Sequence, residues 1–402
     1  MNQRELSRNI LTQVIKEGGY ANLLMRNRLN ELPVSQRAFC TEIINGVLRN
    51  YYLLRYQYQD FIEKKLSTDN EILLNMAMYE RFFLKEKDYA VNNEYVSLCK
   101  EGSQKSFINA ILRKTADFRI PDADDKNYLS IIHSVPNWII SLLSKQYSEE
   151  DLLKILDSYK HRSEISYRLN IKACKKEYLK LKNLEWINDK CFRSKDNLLN
   201  TREFKYGYFY VQDANSSYLT DQLELKEDSI FLDMCSAPGS KLFNALDIVD
   251  PKNSYCNDLY SQRVELIRKK AQILRFKGIN YLIGDAREIG KKTDVHFTHI
   301  LLDAPCSGLG VIGRRPDLKF HITPSSLDEL ETLQREMLDS AYELLLPDGV
   351  LLYSTCTLNT KENARQVRSF LKKHEDIVLD REETIIDNAG DCFYYARMIL
   401  KK

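Results

Sequence analysis

The stretch Ile230 to Lys241, IFLDMCSAPGSK, constrains this chain more than any other. Ile230, Phe231 and Leu232 have the length and apolar character of a buried strand. Asp233 ends the run. Cys235, Ser236, Ala237, Pro238, Gly239 and Ser240 then make a tight turn of small residues, and Lys241 to Val249 reads as a helix. The same pattern returns downstream. Strands are expected at Tyr255–Asp258, at Ile279–Ile283 before Gly284-Asp285, at His299–Leu302 before Asp303, and at Val350–Ser354 before Thr355-Cys356. Helical periods lie between them. One starts at Ser261 as N-cap, buries Val264, Ile267, Ala271 and Leu274, and stops at Gly278. Another runs from Ser325 to Leu346, and a third from Lys361 to Lys373. Strands alternating with helices make a doubly wound parallel sheet, whose ligands sit outside the carboxyl ends of the strands. Asp233, Asp258, Asp285, Asp303 and Cys356 therefore share one sheet edge. The terminal run Phe393–Leu400 closes the sheet.

That edge suits a particular kind of ligand. Asp258 ends the second strand, where nucleotide-binding folds take up ribose hydroxyls. No GxxxxGK[ST] cradle is present, and the turn at Cys235–Lys241 is not GxGxxG, which disfavours nucleoside triphosphates and NAD. S-adenosylmethionine fits better, because its sulfonium tolerates nearby carboxylates. Two thiols sharpen the chemistry. Cys306 follows Asp303-Ala-Pro and Cys356 follows Tyr-Ser-Thr. An amine or hydroxyl acceptor needs no thiol. Carbon 5 of a pyrimidine does, because a thiolate adding to carbon 6 makes carbon 5 enamine-like. A second group must then help the adduct to break down. Spacing alone does not order the two cysteines. Cys40, Cys99, Cys174, Cys191 and Cys256 read as small buried hydrophobes.

The rest of the chain frames this domain. With 402 residues, two or three domains are expected. Net charge is only +2, so a nucleic-acid partner must be met by local patches. No apolar run reaches the roughly 18 residues of a membrane span, and the N-terminus lacks the apolar core of a signal peptide. Nine cysteines without a CxxC pair argue against a disulfide framework or a zinc site, and for a reducing cytoplasmic setting. Residues up to about 120 read as successive helices, among them Arg4–Glu17, Ser35–Arg55, Asn70–Leu84 and Gln104–Lys114. Ile165–Ile171 alternates like a strand, and the lysine-rich Lys175–Lys182 reads as a helix, so a small α/β module fits here.

DMCSAPGSK, LLDAPCSGLGVIGRRPDLK and YSTCTLNTKEN resemble the signature motifs of the Sun family of RNA cytosine-5 methyltransferases. FINAILR and HSVPNW resemble stretches of that family's bacterial ribosomal members. The resemblance implies three domains: an all-α domain like the antitermination factor NusB over 1–140, a small α/β connecting domain over 141–210, and a Rossmann-like S-adenosylmethionine-dependent methyltransferase domain over 211–402. It implies cofactor binding by Cys235, Ser236, Ala237, Pro238, Gly239, Ser240 and Lys241 and by Asp258, Asp285 and Asp303. It makes Cys356 the nucleophile and Cys306 the residue assisting release, with Asp303 also at the cytosine edge. DNA cytosine methyltransferases put the nucleophile in a Pro-Cys motif, so exchanged roles stay open. Arg314, Arg315 and Lys319 are expected to meet RNA phosphates beside a flipped or unpaired cytosine. The implied substrate is 16S ribosomal RNA, and a monomer is expected. Transfer RNA as substrate, and a non-catalytic RNA-binding assembly factor, are the alternatives. Two departures stand out. Ser240 occupies the place of a second glycine, and Cys392-Phe393-Tyr394 stands where Gly-Phe-Phe is usual.

Overall fold

The computed structural model describes residues 2–161, 164–387 and 390–401. Two compact units account for the chain. The first takes it as far as His161 and also includes Ile312–Ile322; the second takes it up to Val311 and again from Thr323. The first unit runs past residue 140 because the helices Asn137–Ser144 and Glu149–Ser158 belong to it.

The first unit is helical. Its core helices include Gln3–Glu17, Val34–Arg49, Thr68–Phe82 and Gly102–Lys114. Ile43, Ile44, Val47 and Leu48 recur at helical spacing and are wholly buried against Leu6, Ile10, Leu73 and Met76. The single helix expected over Ser35–Arg55 breaks at Asn50, where the next helix, Tyr51–Tyr58, begins. Asn50 leaves the helical region and turns its amide back to donate to Gly46 O at 2.9 Å, competing with the backbone ladder. The segment Ile312–Ile322 adds Phe320, whose ring lies edge-on 5.0 Å from Tyr51.

The second unit holds, among the described residues, eleven strands in two sheets. The smaller sheet consists of β1 (Ser166–Leu169), β2 (Leu184–Trp186), β3 (Cys191–Ser194) and β4 (Phe209–Val211), in the order β2-β3-β1-β4 and antiparallel throughout. The helix expected at Lys175–Lys182 is a single tight turn, Lys176–Tyr178. Its apolar residues Leu179 and Leu181 are two apart, and both pack on the small core. That spacing suits extended chain, not a helix face. Arg168, fully buried on β1, pairs with Asp247 at 2.6 Å and fixes this sheet to the larger one's helices.

The larger sheet contains β5 (Phe231–Asp233), β6 (Ser254–Asp258), β7 (Asn280–Ile283), β8 (Phe297–Asp303), β9 (Leu345–Thr355), β10 (Ile377–Ile385) and β11 (Phe393–Leu400). Their order is β10-β11-β9-β8-β5-β6-β7, parallel from β7 to β9 and antiparallel beyond. Both faces are covered. Ile300 and Leu302 of β8 enter one apolar cluster and Leu301 the other. Strand β10 has no counterpart in the sequence reading. It is an edge strand whose middle is exposed, so no apolar pattern marks it. The helix Ser261–Leu274 buries Val264, Ile267, Ala271 and Leu274. Its ends differ from expectation. Tyr260 precedes it without a side-chain cap, and it stops at Arg275 in the left-handed region, before Gly278, as buried Phe276 folds back to hydrogen-bond Ala271 O.

Candidate active site

The strand order reverses between β5 and β8, and ligands of open α/β sheets gather at such a switch point. Asp233 ends β5 and Asp303 ends β8 there. Lys241 reaches back from the helix Ser240–Ala245 to place Nζ 2.7 Å from Asp303 Oδ2. Ser354 Oγ donates to Asp303 Oδ1 at 2.8 Å. Asp233 is wholly buried. Burial, and then the charge of Asp303, push its carboxyl up to about 7. Burial alone would lower Lys241, but Asp303 outweighs it and the ammonium is held above its usual range.

Cys306 and Cys356 meet at this edge with Sγ atoms 3.3 Å apart. Cys356 follows β9, and Cys306 follows the turn after β8. With Cys235 they are the three cysteines left partly exposed; the other six are buried. The hydrogen bond with Cys356, burial and the charge of Glu362 all drive the Cys306 thiol well up. Gly310 N–H donates to Cys356 O at 2.9 Å, which ties the turn carrying Cys356 to the segment after Cys306.

A cavity of about 470 Å³ opens beside these groups, a size that suits a nucleoside-bearing ligand. Cys235, Ala237, Asp258, Asp285 and Asp303 line it. The other residues expected to hold a cofactor, Ser236, Pro238, Gly239, Ser240 and Lys241, build the turn behind that lining. Gly239 has φ +94° there, and a side chain at this position would run into the Phe243 ring. Ser240 already has helical backbone, so a serine meets no conformational demand for glycine. The cavity is electronegative. Burial and the charges of Asp233, Asp303, Asp258 and Asp285 together raise the Cys235 thiol well above its ordinary value. Asp285 is lowered by its hydrogen bonds from Arg287, which grips it at 2.6 Å.

Sequence reading passed over Asn257, Tyr260, Arg287 and Met337, which also line the cavity. The first three stand within two residues of Asp258 or Asp285, and adjacency to a strand end was the available signal. The basic trio is divided. Arg314 is exposed and Arg315 half-buried, 3.4 Å from Asp317. Lys319 does not fit a phosphate contact. It is 4% exposed and donates to Arg49 O at 3.2 Å and Ser134 O at 2.5 Å, and burial drives its ammonium well down. A side chain spent on two carbonyls inside the helical unit has no reach to RNA.

A doubly wound sheet with a carboxylate-lined cavity and paired thiols at its switch point defines a methyltransferase of the Rossmann-like class. The chain belongs to the family of 16S rRNA methyltransferases RsmB/F, whose model matches residues 220–396, and residues 1–117 match the NusB family. It is 30% identical over 400 residues to the probable ribosomal RNA small subunit methyltransferase B of Bacillus subtilis, covering 94% of this chain and 90% of that one. It is thus an enzyme that methylates RNA. Among solved structures, PH0851 superposes with a TM-score of 0.78 at 19% identity over 99% of both chains. NSun6 from Pyrococcus horikoshii, solved with SFG, gives 0.60 at 18% over 67% of this chain and all of that one. Both likenesses concern the fold. Among the described residues, no helix is long and apolar enough to cross a membrane.

Proposed function

We propose that the chain methylates carbon 5 of a cytosine in 16S ribosomal RNA, with S-adenosylmethionine as donor and Cys356 as nucleophile. The observation that carries this reading is the 3.3 Å approach of Cys306 and Cys356 beside the carboxylate-lined cavity. The cofactor supplies an electrophilic methyl on a sulfonium, and a cavity lined by three carboxylates, Asp258, Asp285 and Asp303, suits that cation. Asp258 would take the ribose hydroxyls, and Asp285 and Asp303 would complete the lining. The solved relative NSun6 was crystallised with SFG, and the family methylates RNA, which agrees with this donor.

In this reading the Cys356 thiolate adds to carbon 6 of a cytosine swung out of its stack, and the electron pair moves to carbon 5. Asp303, braced by Lys241 and Ser354, accepts from the exocyclic amine of the base. After methylation Cys306, deprotonated to its thiolate, takes the carbon-5 proton and becomes the thiol, the carbon–hydrogen electron pair restores the ring double bond, and the Cys356 sulfur leaves as thiolate. Arg314 and Arg315 would meet phosphates of the same RNA.

The test uses 16S RNA fragments and methyl-labelled cofactor. Cys356→Ser should abolish transfer and keep cofactor binding, and Cys306→Ala should accumulate a protein–RNA adduct stable to denaturation. Normal turnover by Cys356→Ser refutes the assignment, and trapping by Cys356→Ala exchanges the two roles. A protein that binds the RNA and never methylates it is an assembly factor. Methylation of transfer RNA in preference to 16S RNA moves the substrate.

A further inference from the structure

Glu362 is wholly buried, where a carboxylate is rarely found without partners. Its Oε2 accepts from Ser307 N at 2.9 Å and from Gln334 Nε2 at 3.1 Å. Its Oε1 accepts from Ser307 Oγ at 2.6 Å and from Asn359 Nδ2 at 3.2 Å. Gln334 Nε2 also donates to Pro305 O at 2.9 Å. The carbonyl just before Cys306 and the amide just after it are thus held by one carboxylate–carboxamide pair. Asn363, the next residue, treats Cys356 alike. Its Oδ1 accepts from Thr355 Oγ1 at 2.6 Å, and its Nδ2 donates to Thr357 O at 2.9 Å. Two consecutive buried residues therefore bracket the two cysteines, one each.

We infer that Glu362 and Asn363 are positioning residues for the methylation reaction, fixing the turns that aim Cys306 and Cys356 at one base. The inference rests on the reading that both sulfurs act on the same cytosine. A carboxylate is the side chain the place demands. Four donors converge on two oxygens, and only a group with acceptors on both satisfies them. A glutamine would turn N–H groups against at least one donor and release that side of the Cys306 turn.

The test compares the full-length wild type with Cys306→Ala, Glu362→Gln and Gln334→Met on a 16S RNA fragment. Turnover, cofactor Kd, KM for RNA and the denaturation-stable protein–RNA adduct are measured. Glu362→Gln should lower kcat by about a hundredfold, the scale of an ångström-sized misplacement. Cofactor Kd and KM should stay within about twofold, and adduct should accumulate as it does in Cys306→Ala. Gln334→Met frees only the Pro305 side and should show the same accumulation with a smaller loss of kcat. It also serves if Glu362→Gln does not fold. Turnover within about threefold of wild type, with no adduct, overturns the inference while Cys306→Ala still traps. Parallel loss of cofactor binding and activity, without adduct, also overturns it in favour of a purely structural role. If Cys306→Ala itself fails to trap, the assignment of the two sulfurs is what fails, and the clamp stands or falls on kcat alone.

Discussion

Lys241 Nζ stands 2.7 Å from Asp303 Oδ2, and it is the cation that lets two carboxylates, Asp233 and Asp303, share one strand-end switch point. The side chains of the pair are 11% and 29% exposed, so water screens them only in part. The ring of Phe393 covers the ammonium at 5.2 Å. Lys241→Met fills the space and removes the charge. It leaves Asp303 facing Asp233 without compensation, and should cost about 2 kcal/mol in urea unfolding. RNA methylation should fall by tenfold or more, in the range of about 2 kcal/mol of lost transition-state stabilisation. A variant as stable and active as wild type would remove Lys241 from the site.

Asp233 gives a prediction with a definite sign. Its carboxyl is raised to about 7 in the folded chain, far above an ordinary aspartate. The folded state therefore holds a proton that the unfolded state has lost, and stability falls as pH rises from about 4 to about 7. Below that window the group contributes nothing adverse; above it the whole penalty is present. Asp233→Asn has no such penalty. The difference in unfolding free energy between variant and wild type should move in the variant's favour by about 2 kcal/mol from pH 5.5 to pH 8. Urea midpoints at the two pH values check it, and a difference that ignores pH would refute it.

The fold was readable where its physics is local. The parallel strands announce themselves as short apolar runs, and the acids at their ends fall where a doubly wound sheet puts ligands, as Asp258, Asp285 and Asp303 do. Strand β10 was not readable. An edge strand with four charged residues in a row across its exposed middle, Asp380 to Glu383, carries no period, and only its register with β11 makes it a strand. Lys175–Lys182 misled because lysines favour helices, while Leu179 and Leu181 were recruited by a sheet that periodicity does not show. Lys319 misled for a related reason. GRRPDLK looks like a basic patch until the fold decides which of its cations end up inside. The Glu362 cluster was hidden too, because three of its four donors come from Ser307 and Gln334, far away in the sequence, and no single stretch encodes that.

That division of the basic segment can be tested directly. Lys319→Met deletes the donor to Arg49 O and Ser134 O, and Arg49 is the last residue of the helix Val34–Arg49. Two buried carbonyls without a partner should cost about 1–3 kcal/mol. RNA affinity at fixed salt should hardly change in the fraction that remains folded. Arg314→Ala should do the reverse: thermal midpoint unchanged, RNA affinity lower, and a salt dependence shallower by about one counterion. Filter binding across a salt series, beside thermal melts, separates the two. Equal RNA defects in both variants would restore Lys319 as a phosphate contact.

Gly310 offers the sharpest steric test. A Cβ placed there would lie 2.3 Å from Cys392 O and 2.9 Å from Cys356 O, both backbone atoms that cannot rotate aside. Gly310 N–H also donates to Cys356 O, and Gly310 O accepts from Cys392 N, each at 2.9 Å. The glycine is therefore pinned between the turn carrying Cys356 and the strand that begins after Cys392. Gly310→Ala must push one of them away. Cys356 adjoins β9 and Cys392 adjoins β11, each strand paired on both sides, and the prediction is that the turn carrying Cys356 is the one that moves. The variant should lose about 2–3 kcal/mol of stability, as overpacked positions do. Methyl transfer should fall by more than that loss explains, because the folded fraction still carries a displaced Cys356 sulfur. Calorimetry gives the folded fraction, and kcat per folded molecule gives the displacement. A kcat per folded molecule equal to wild type would mean that the Cys392 side yields instead, and would leave the Cys356 turn undisturbed.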